Sequence, residues 1–181
     1  MLPTVRLTFF FLCGTMEKNE RGETMEKLGC SFTGHRIIDR EHTETIGGLL
    51  SRAVEFAYNE GCRTFYAGGA MGFDTLAAAA VAGLKVKYPH VKLHLIIPHH
   101  GHDRDFSEFY KKLFEFTLQN ADTVTYIQKR YTPGVMQVRN AALVRGADIC
   151  IAYMTKLRGG TYQTVNMARR DKIKVINIGK R

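Results

Sequence analysis

The sequence of 181 residues lacks several features that would assign a protein class at once. Its four cysteines form no CxxC pair, which excludes the common zinc cages and dithiol redox motifs. An apolar run near the N-terminus, residues 7–13, is too short to span a bilayer. No internal repeat or low-complexity segment interrupts the chain. We therefore expect a globular protein of a reducing, cytoplasmic setting, with no membrane as partner.

The sequence is also short of acidic residues and contains no tryptophan. Lys and Arg total 26 against 17 for Asp and Glu, which gives a net charge of +9. This excess favours an anionic partner: a nucleic acid, a nucleotide or a phosphorylated metabolite. The lack of Trp and of a clustered basic and aromatic stripe disfavours single-stranded DNA. The composition is otherwise that of an ordinary globular domain, which excludes disorder and a coiled coil.

Residues 1–24 differ from the rest of the chain. The stretch that follows the apolar run is polar and aperiodic, and positive and negative charges balance within the segment. We expect a poorly structured N-terminal extension over residues 1–24 and one domain over residues 25–181. An upstream start would explain such an extension, and a cleaved signal peptide is the less favoured alternative.

Strands and helices are predicted to alternate from Met25 onward. Strands are expected at residues 28–33, 64–67, 91–97, 123–127, 148–153 and 173–178, and helices at 42–59, 73–86, 106–118, 135–145 and 161–170. This order predicts an α/β fold that is Rossmann-like, with a mostly parallel sheet of about six strands and helices on both faces.

Ligands of such sheets bind beyond the carboxyl ends of the strands, so the residues that follow each strand are the candidates. After the first strand, Gly34 allows a tight turn, His35 follows it, and Arg36 can fork onto a phosphate. A solvated arginine in a βα turn is the alternative for Arg36. After the second strand, Gly68 and Gly69 precede a helix and allow close backbone approach to an anion.

Asp74, in the same turn, either caps the helix or holds a ribose hydroxyl. The segment matches neither the GxGxxG dinucleotide fingerprint nor a Walker loop. After the third strand, three histidines and Asp103 lie within residues 99–103, which raises a metal site as an alternative. Metal sites usually draw ligands from more than one element, so we expect no metal and no cofactor, and a loop that lines the crevice.

Beyond the fourth strand, Tyr131 could stack on a base, and Arg139 and Asn140 lie early in a helix. Beyond the fifth, Gly159, Gly160 and Thr161 form a second glycine-rich turn that opens a helix. Two such turns at strand ends favour a phosphate or ribose cradle built from backbone amides.

The four segments TGHR, GGAMGFD, MQVRNAALVRGADICIAY and RGGT, in this order, resemble the SLOG superfamily (Smf/DprA and LOG) over residues 28–178. More narrowly, the sequence is similar to the YpsA/YoqJ-like branch of this superfamily, whose function is unknown. It implies a Rossmann-like sheet with a site for nucleotides or nucleotide-derived ligands such as ADP-ribose-like molecules. It does not imply one activity, because the superfamily includes enzymes, ligand sensors and DNA-binding proteins.

The enzymatic LOG branch cleaves the N-glycosidic bond of cytokinin nucleotides. The helix motif of that branch carries an Arg-Lys pair. By this resemblance, Arg139 corresponds to its arginine and Asn140 to its lysine, and residues 159–161 correspond to its glycine-rich turn. The segment GGTYQTVNMA lacks the glutamate of that branch, and glycoside cleavage usually needs a carboxylate. Asp74 is the remaining acid in a motif, so binding is favoured over hydrolysis.

We therefore expect a module that binds a nucleotide-derived small molecule as sensor, carrier or sequestering protein. A nucleotide N-glycosidase that uses Asp74 with Arg139 is the alternative, and single-stranded DNA binding is a third. A homo-oligomer is expected through the Ala-rich helix at residues 76–84. The predicted ligand-binding residues are Gly34, His35, Arg36, Gly68, Gly69, Asp74, Tyr131, Arg139, Asn140, Gly159, Gly160 and Thr161.

Overall fold

The computed structural model describes the backbone of residues 16–18, 24–26 and 28–179, and the side chains of residues 28–179. The apolar run at residues 7–13 lies outside the described residues, as does most of the predicted extension. Two short strands, β1 (Met16–Lys18) and β2 (Thr24–Glu26), pair in antiparallel fashion. The sequence pattern assigned no structure to them, and weak packing of the extension stays a prediction.

The domain is built on one parallel sheet of six strands in the order β6-β5-β4-β3-β7-β8. Every neighbouring pair in it is parallel, which confirms the predicted sheet and strand number. The strands are β3 (Leu28–Gly34), β4 (Cys62–Ala67), β5 (Lys92–His99), β6 (Thr123–Gln128), β7 (Ile149–Tyr153) and β8 (Lys174–Asn177).

Helices cover both faces of the sheet. The chain runs from β3 to β6 in one direction and then returns past β3 to β7. Right-handed crossovers therefore put the first three helices on one face and the last two on the other. Contacts of α1 with α2, α2 with α3, and α4 with α5 agree with this arrangement. The helices are α1 (Ile46–Asn59), α2 (Phe73–Lys87), α3 (Glu108–Asn120), α4 (Val135–Arg145) and α5 (Gly159–Arg170), with a 3₁₀ turn at Arg40–His42.

The core lies between the sheet and its helices. Phe32, Phe65 and Ile151 of the central strands are fully buried, as expected for strands covered on both faces. In α2 the small side chains of Ala77 and Ala78 are also fully buried and let this helix lie close to the sheet. The Ala-rich face thus packs within the domain, which was the alternative to its packing against a second chain.

The strand order reverses between β3 and β7, which are neighbours in the sheet but far apart in the chain. A reversal of this kind leaves a crevice beyond the carboxyl ends of the two strands. We call the end of the sheet where β3 to β7 finish the carboxyl edge. Of the helices that the structure describes, none is long and apolar enough to cross a membrane.

Candidate functional site at the carboxyl edge

A cavity of about 560 Å³ opens at the carboxyl edge, beyond the ends of β3, β4, β5 and β6. We call it the carboxyl-edge cavity. Four successive loops and the first turn of α4 contribute to its wall, so its shape depends on the whole sheet rather than on one motif. It is lined by Arg36, Met71, His99, His100, Gly101, His102, Arg104, Asp105, Phe106, Arg130, Tyr131 and Met136.

The cavity wall is strongly basic. Arg36, Arg104 and Arg130 reach it from three different loops, and Asp105 is the single carboxylate among the lining residues. Guanidinium groups bind phosphate and carboxylate groups through paired N–H bonds. An anionic group is therefore the chemistry that this wall fits.

Aromatic rings form a second part of the wall. The ring of His99 meets those of Tyr131 and His102 edge-on at centroid distances of 5.6 Å, and His102 meets Phe106 in the same way. Tyr131 is 62% exposed, so one side of its ring is open to a planar ligand. Rings of this kind offer stacking surfaces to a base.

His102 is one of the partly buried rings of this wall. Its Nε2 atom is buried and has no hydrogen-bond partner among residues 28–179. Burial and, to a smaller extent, the nearby charges of Arg139, His99 and Arg36 together lower the pKa of His102 to about 3. The imidazole is neutral at physiological pH, so it offers the cavity a hydrogen bond and no charge.

Close enough to the cavity-lining residues to act on the charges of His102 and Arg36, Asp74 and Arg139 form a buried ion pair. Nη1 of Arg139 donates to Oδ2 of Asp74 over 2.9 Å, and both residues are less than a tenth exposed. Burial raises the pKa of Asp74, while the guanidinium of Arg139 opposes that rise. A Cβ on Gly68 would fall 1.4 Å from Nη1, so only glycine leaves room for this pair. We call the two side chains the buried pair.

Other glycines allow the loops to approach each other. A Cβ on Gly34 would lie 2.4 Å from the side chain of Phe73. Gly72 has a φ of +88°, and its Cβ would lie 2.2 Å from the carbonyl oxygen of Arg36. Gly69, with a φ of +63°, likewise needs glycine. The sequence pattern associated Gly34, Gly68 and Gly69 with a ligand, and in the structure they also permit close packing between loops.

The second glycine-rich turn lies farther along the edge. Gly159 (φ +83°) and Gly160 open α5, and a Cβ on Gly160 would lie 3.9 Å from Nδ2 of Asn140. Thr161 is buried in the first turn. Met136 lines the cavity one helical turn before Asn140 on the same face of α4, so this face connects the cavity to the turn.

The predicted site residues thus fall into separate groups. Arg36 and Tyr131 line the cavity, while Asp74 and Arg139 lie under Gly68. The ring of His35 contacts the loop after β7 and does not line the cavity. The loop at residues 99–103, which the sequence predicts to line a crevice, contributes His99, His100, Gly101 and His102 to the cavity wall. Within residues 28–179, no three His, Cys, Asp or Glu side chains are placed to hold a metal ion.

Arg104 and Arg130 were not predicted as site residues, although both line the cavity. Arg130 follows β6 by two residues, and Arg104 lies in the histidine-rich loop after β5. Their position after strands was the signal that could have identified them.

Comparisons with known proteins agree with this architecture. A family model described as the YspA SLOG family matches residues 33–176. The chain is 26% identical over 134 residues to the uncharacterized prophage-derived protein YoqJ of Bacillus subtilis, covering 67% of this chain and 78% of YoqJ. It is 25% identical over 141 residues to a UPF0398 protein of Bacillus thuringiensis, covering 77% of each.

Two solved structures of DNA processing protein A (DprA) share the fold. The Streptococcus pneumoniae protein matches with a TM-score of 0.58 and 17% identity, over 82% of this chain. The Helicobacter pylori protein, whose structure concerns its single-stranded DNA binding mode, matches with a TM-score of 0.60 and 18% identity, over 85% of this chain. The chain spans about half of the first protein (49%) and 66% of the second.

Proposed function

The chain belongs to the YspA SLOG family, and from this premise we propose that it binds a nucleotide or nucleotide-derived ligand, such as an ADP-ribose-like molecule. The observation that carries the proposal is the carboxyl-edge cavity, in which three arginines and a wall of aromatic rings line one space. Its volume of about 560 Å³ lies within the range of roughly 300–1,000 Å³ that is usual for small-molecule sites.

The two parts of the wall suit the two ends of such a ligand. The guanidinium groups of Arg36, Arg104 and Arg130 would take the phosphates, and the exposed ring of Tyr131 would stack on the base. The unpartnered Nε2 of His102 would form a hydrogen bond to the part of the ligand between them. A ligand without phosphate would leave three positive charges facing one carboxylate.

The predicted amide cradle stays part of the proposal. The N-terminus of α5 carries Gly159, Gly160 and Thr161, and free N–H groups at a helix N-terminus favour an anion. Because α4 connects this turn to the cavity, a ligand with a diphosphate could extend toward Asn140. Direct contact of Asp74 and Arg139 with the ligand also stays a prediction, and their burial supports a role in fixing the cavity floor.

We propose a sensor, carrier or sequestering role rather than catalysis. The one acid of the motifs, Asp74, is buried and ion-paired with Arg139, which is a poor arrangement for passing protons to a substrate. Hydrolysis of a nucleotide by Asp74 with Arg139 remains the alternative. A reducing cytoplasmic location belongs to the proposal too, and the free, buried thiols of Cys30, Cys62 and Cys150 support it.

Single-stranded DNA is the second candidate ligand. The fold is shared with a DprA whose structure concerns single-stranded DNA binding, and the cavity wall is basic and carries exposed rings. A bound strand would make affinity fall steeply with salt, because each phosphate contact releases counterions. A small nucleotide held by a few arginines would show a shallower dependence on salt.

The ligand can be identified directly. Small molecules released from the purified protein by denaturation should contain a nucleotide-derived compound detectable by mass spectrometry. A calorimetric panel of AMP, ADP, ADP-ribose and an oligodeoxynucleotide then ranks the candidates. Tightest binding of a mononucleotide or ADP-ribose supports the proposal, and preferred binding of the oligonucleotide with a steep salt slope supports the second candidate. Release of free base during incubation would support hydrolysis.

A homo-oligomer also stays a proposal. The face of α2 formed by Ala77, Ala78 and Val81 is already buried within the domain, so an interface there would use the helix's remaining surface. Light scattering at micromolar concentration decides this point. A monomeric mass would contradict the proposal.

A further inference from the structure

His35 joins three of the loops at the carboxyl edge. Its Nε2 atom accepts the backbone N–H groups of Thr155 (3.1 Å) and Lys156 (3.3 Å), which follow β7. The backbone N–H of His35 donates to the backbone carbonyl of Tyr153 over 3.3 Å. The backbone carbonyl of His35 accepts the N–H of Phe73, at the start of α2, over 3.2 Å. One residue thus connects the ends of β3 and β7 with the first turn of α2.

This geometry requires a neutral ring. A ring nitrogen that accepts two N–H groups must offer its lone pair, so the ring proton of His35 lies on Nδ1. A proton added at Nε2 would face both amide donors and remove both hydrogen bonds. His35 can therefore hold the loop after β7 only while it is uncharged.

The surroundings of the ring favour the neutral form. Burial lowers the pKa of His35, the charge of Lys156 lowers it further, and Asp39 of the β3–α1 loop opposes them. Tyr153 of β7 meets the ring edge-on, and its hydroxyl contacts Nδ1 of His42 over 2.8 Å. Phe73, from α2, brings no charge. The hydrogen bonds of His35 are thus intact at neutral pH.

Arg36 is the next residue in the chain and lies with His35 in the loop between β3 and the 3₁₀ turn. Its side chain lines the carboxyl-edge cavity, and its carbonyl packs on Gly72. We propose that His35 is a positioning residue: while its ring is neutral, it holds Arg36 at the cavity. Protonation of His35 in acid then releases Arg36 and weakens ligand binding. The ligand part of this inference rests on the function proposed above, whereas the loop part does not.

The direction of the pH effect follows from the pKa of His35. The pKa is lower in the folded protein than the ordinary value of 6.5, so the unfolded chain takes up the proton first. The contribution of His35 to stability is complete above about pH 6.5 and is lost as the pH falls from there through the folded pKa.

Nuclear magnetic resonance tests the loop directly. The imidazole of His35 and the amides of Arg36, Thr155 and Lys156 are followed between about pH 7.5 and about pH 4.5. We expect one shared midpoint below 6.5 and a loss of amide protection at acid pH. The His35→Gln variant supplies an acceptor near the position of Nε2 that does not titrate, and its amides should stay protected. His35→Asn is too short to reach, and its amides should be exposed throughout.

Calorimetry with ADP-ribose tests the effect on the site. Its bridging diphosphate keeps its negative charge throughout this pH range, and protonation of the adenine ring at the acid end affects binding to the wild type and to His35→Gln alike. On acidification the wild type should lose about three- to ten-fold more affinity than His35→Gln, which corresponds to one to two hydrogen bonds. The histidines of the cavity are present in both proteins, so their effect on the pH dependence of affinity cancels in this comparison.

The outcomes are distinguishable. A midpoint at or above 6.5, or an Arg36 amide that does not respond, would overturn the positioning role. Equal loss of affinity in the wild type and His35→Gln would overturn the effect on binding. If ADP-ribose binds to neither protein at any pH, its binding is refuted, and the amide titration still decides whether His35 holds the loop.

Discussion

The arginines near the carboxyl-edge cavity fall into two groups that differ in physical role. Arg139 is only 8% exposed in its side chain, and its guanidinium contacts the carboxylate of Asp74. Arg36, Arg104 and Arg130 are exposed and face a cavity with one carboxylate. The same type of side chain is thus ion-paired within the fold in one region and exposed at the cavity wall in the other.

The difference is one of hydration. A buried ion pair has lost its water, so removal of one partner leaves an unpaired charge in an apolar site. An exposed arginine keeps its water until a ligand replaces it, so its removal costs the fold little and costs binding much. Mutations in the two regions should therefore separate stability from affinity.

The largest effect is expected for the buried pair. Arg139→Ala should lower the free energy of unfolding by about 3–5 kcal/mol, because Asp74 is left buried without its partner. Urea denaturation of Arg139→Ala measures this, with Arg130→Ala as the matched control, which should change stability by less than about 0.5 kcal/mol. Equal stability of the two variants would remove the distinction between the regions.

A double-mutant cycle sharpens this result. The variant with both Asp74→Ala and Arg139→Ala should be destabilised by clearly less than the sum of the single variants, because the second substitution removes the unpaired charge left by the first. Additive losses would mean that the two side chains contribute independently, and the pair would then have no role as a unit.

A smaller effect is expected for Gly68→Ala, which leaves both charges in place. The new Cβ would fall 1.4 Å from Nη1 of Arg139 and force the buried pair to shift, at a cost of about 1–3 kcal/mol. Gly47→Ala is the matched control, since its Cβ in α1 meets nothing within 4 Å and should stabilise the helix by about 0.5–1 kcal/mol. Thermal melts compare the two, and a Gly68→Ala protein as stable as the wild type would place the pair elsewhere.

The smallest effect is expected from removal of the N-terminal extension. A chain that starts at Met25 should melt within a few degrees of the full chain, because the segment before it is aperiodic and balanced in charge. Calorimetric melting measures the difference. A large loss of stability would mean that residues 7–13 belong to the core.

The sequence was sufficient to predict the architecture. Alternating strand and helix patterns placed all six strands of the main sheet. The inner strand β7 is buried along its whole length and reads as a continuous apolar run, whereas the edge strand β6 is mostly exposed. The rule that ligands bind beyond the strand ends then identified Arg36, Tyr131 and the loop at residues 99–103 as neighbours.

The sequence did not show which site residues are buried or which residues they contact. Asp74 and Arg139 are 65 positions apart, and no periodicity shows that they meet beneath Gly68. His35 was predicted to contact a ligand, and only the pairing of β3 with β7 shows that its ring reaches Thr155 and Lys156. Arg104 and Arg130 were missed because an arginine in a loop is usually solvated, and only the shape of the four loops together forms a cavity.

The most direct test of the account is the affinity of the cavity for ADP-ribose, measured by calorimetry at neutral pH in the wild type and in Arg130→Ala. The account predicts binding by the wild type and a loss of about ten- to a hundred-fold in Arg130→Ala, because one charge-assisted contact to phosphate is removed while the fold is unchanged. No binding by the wild type, or equal affinity in Arg130→Ala, would contradict the assignment of this cavity as the site.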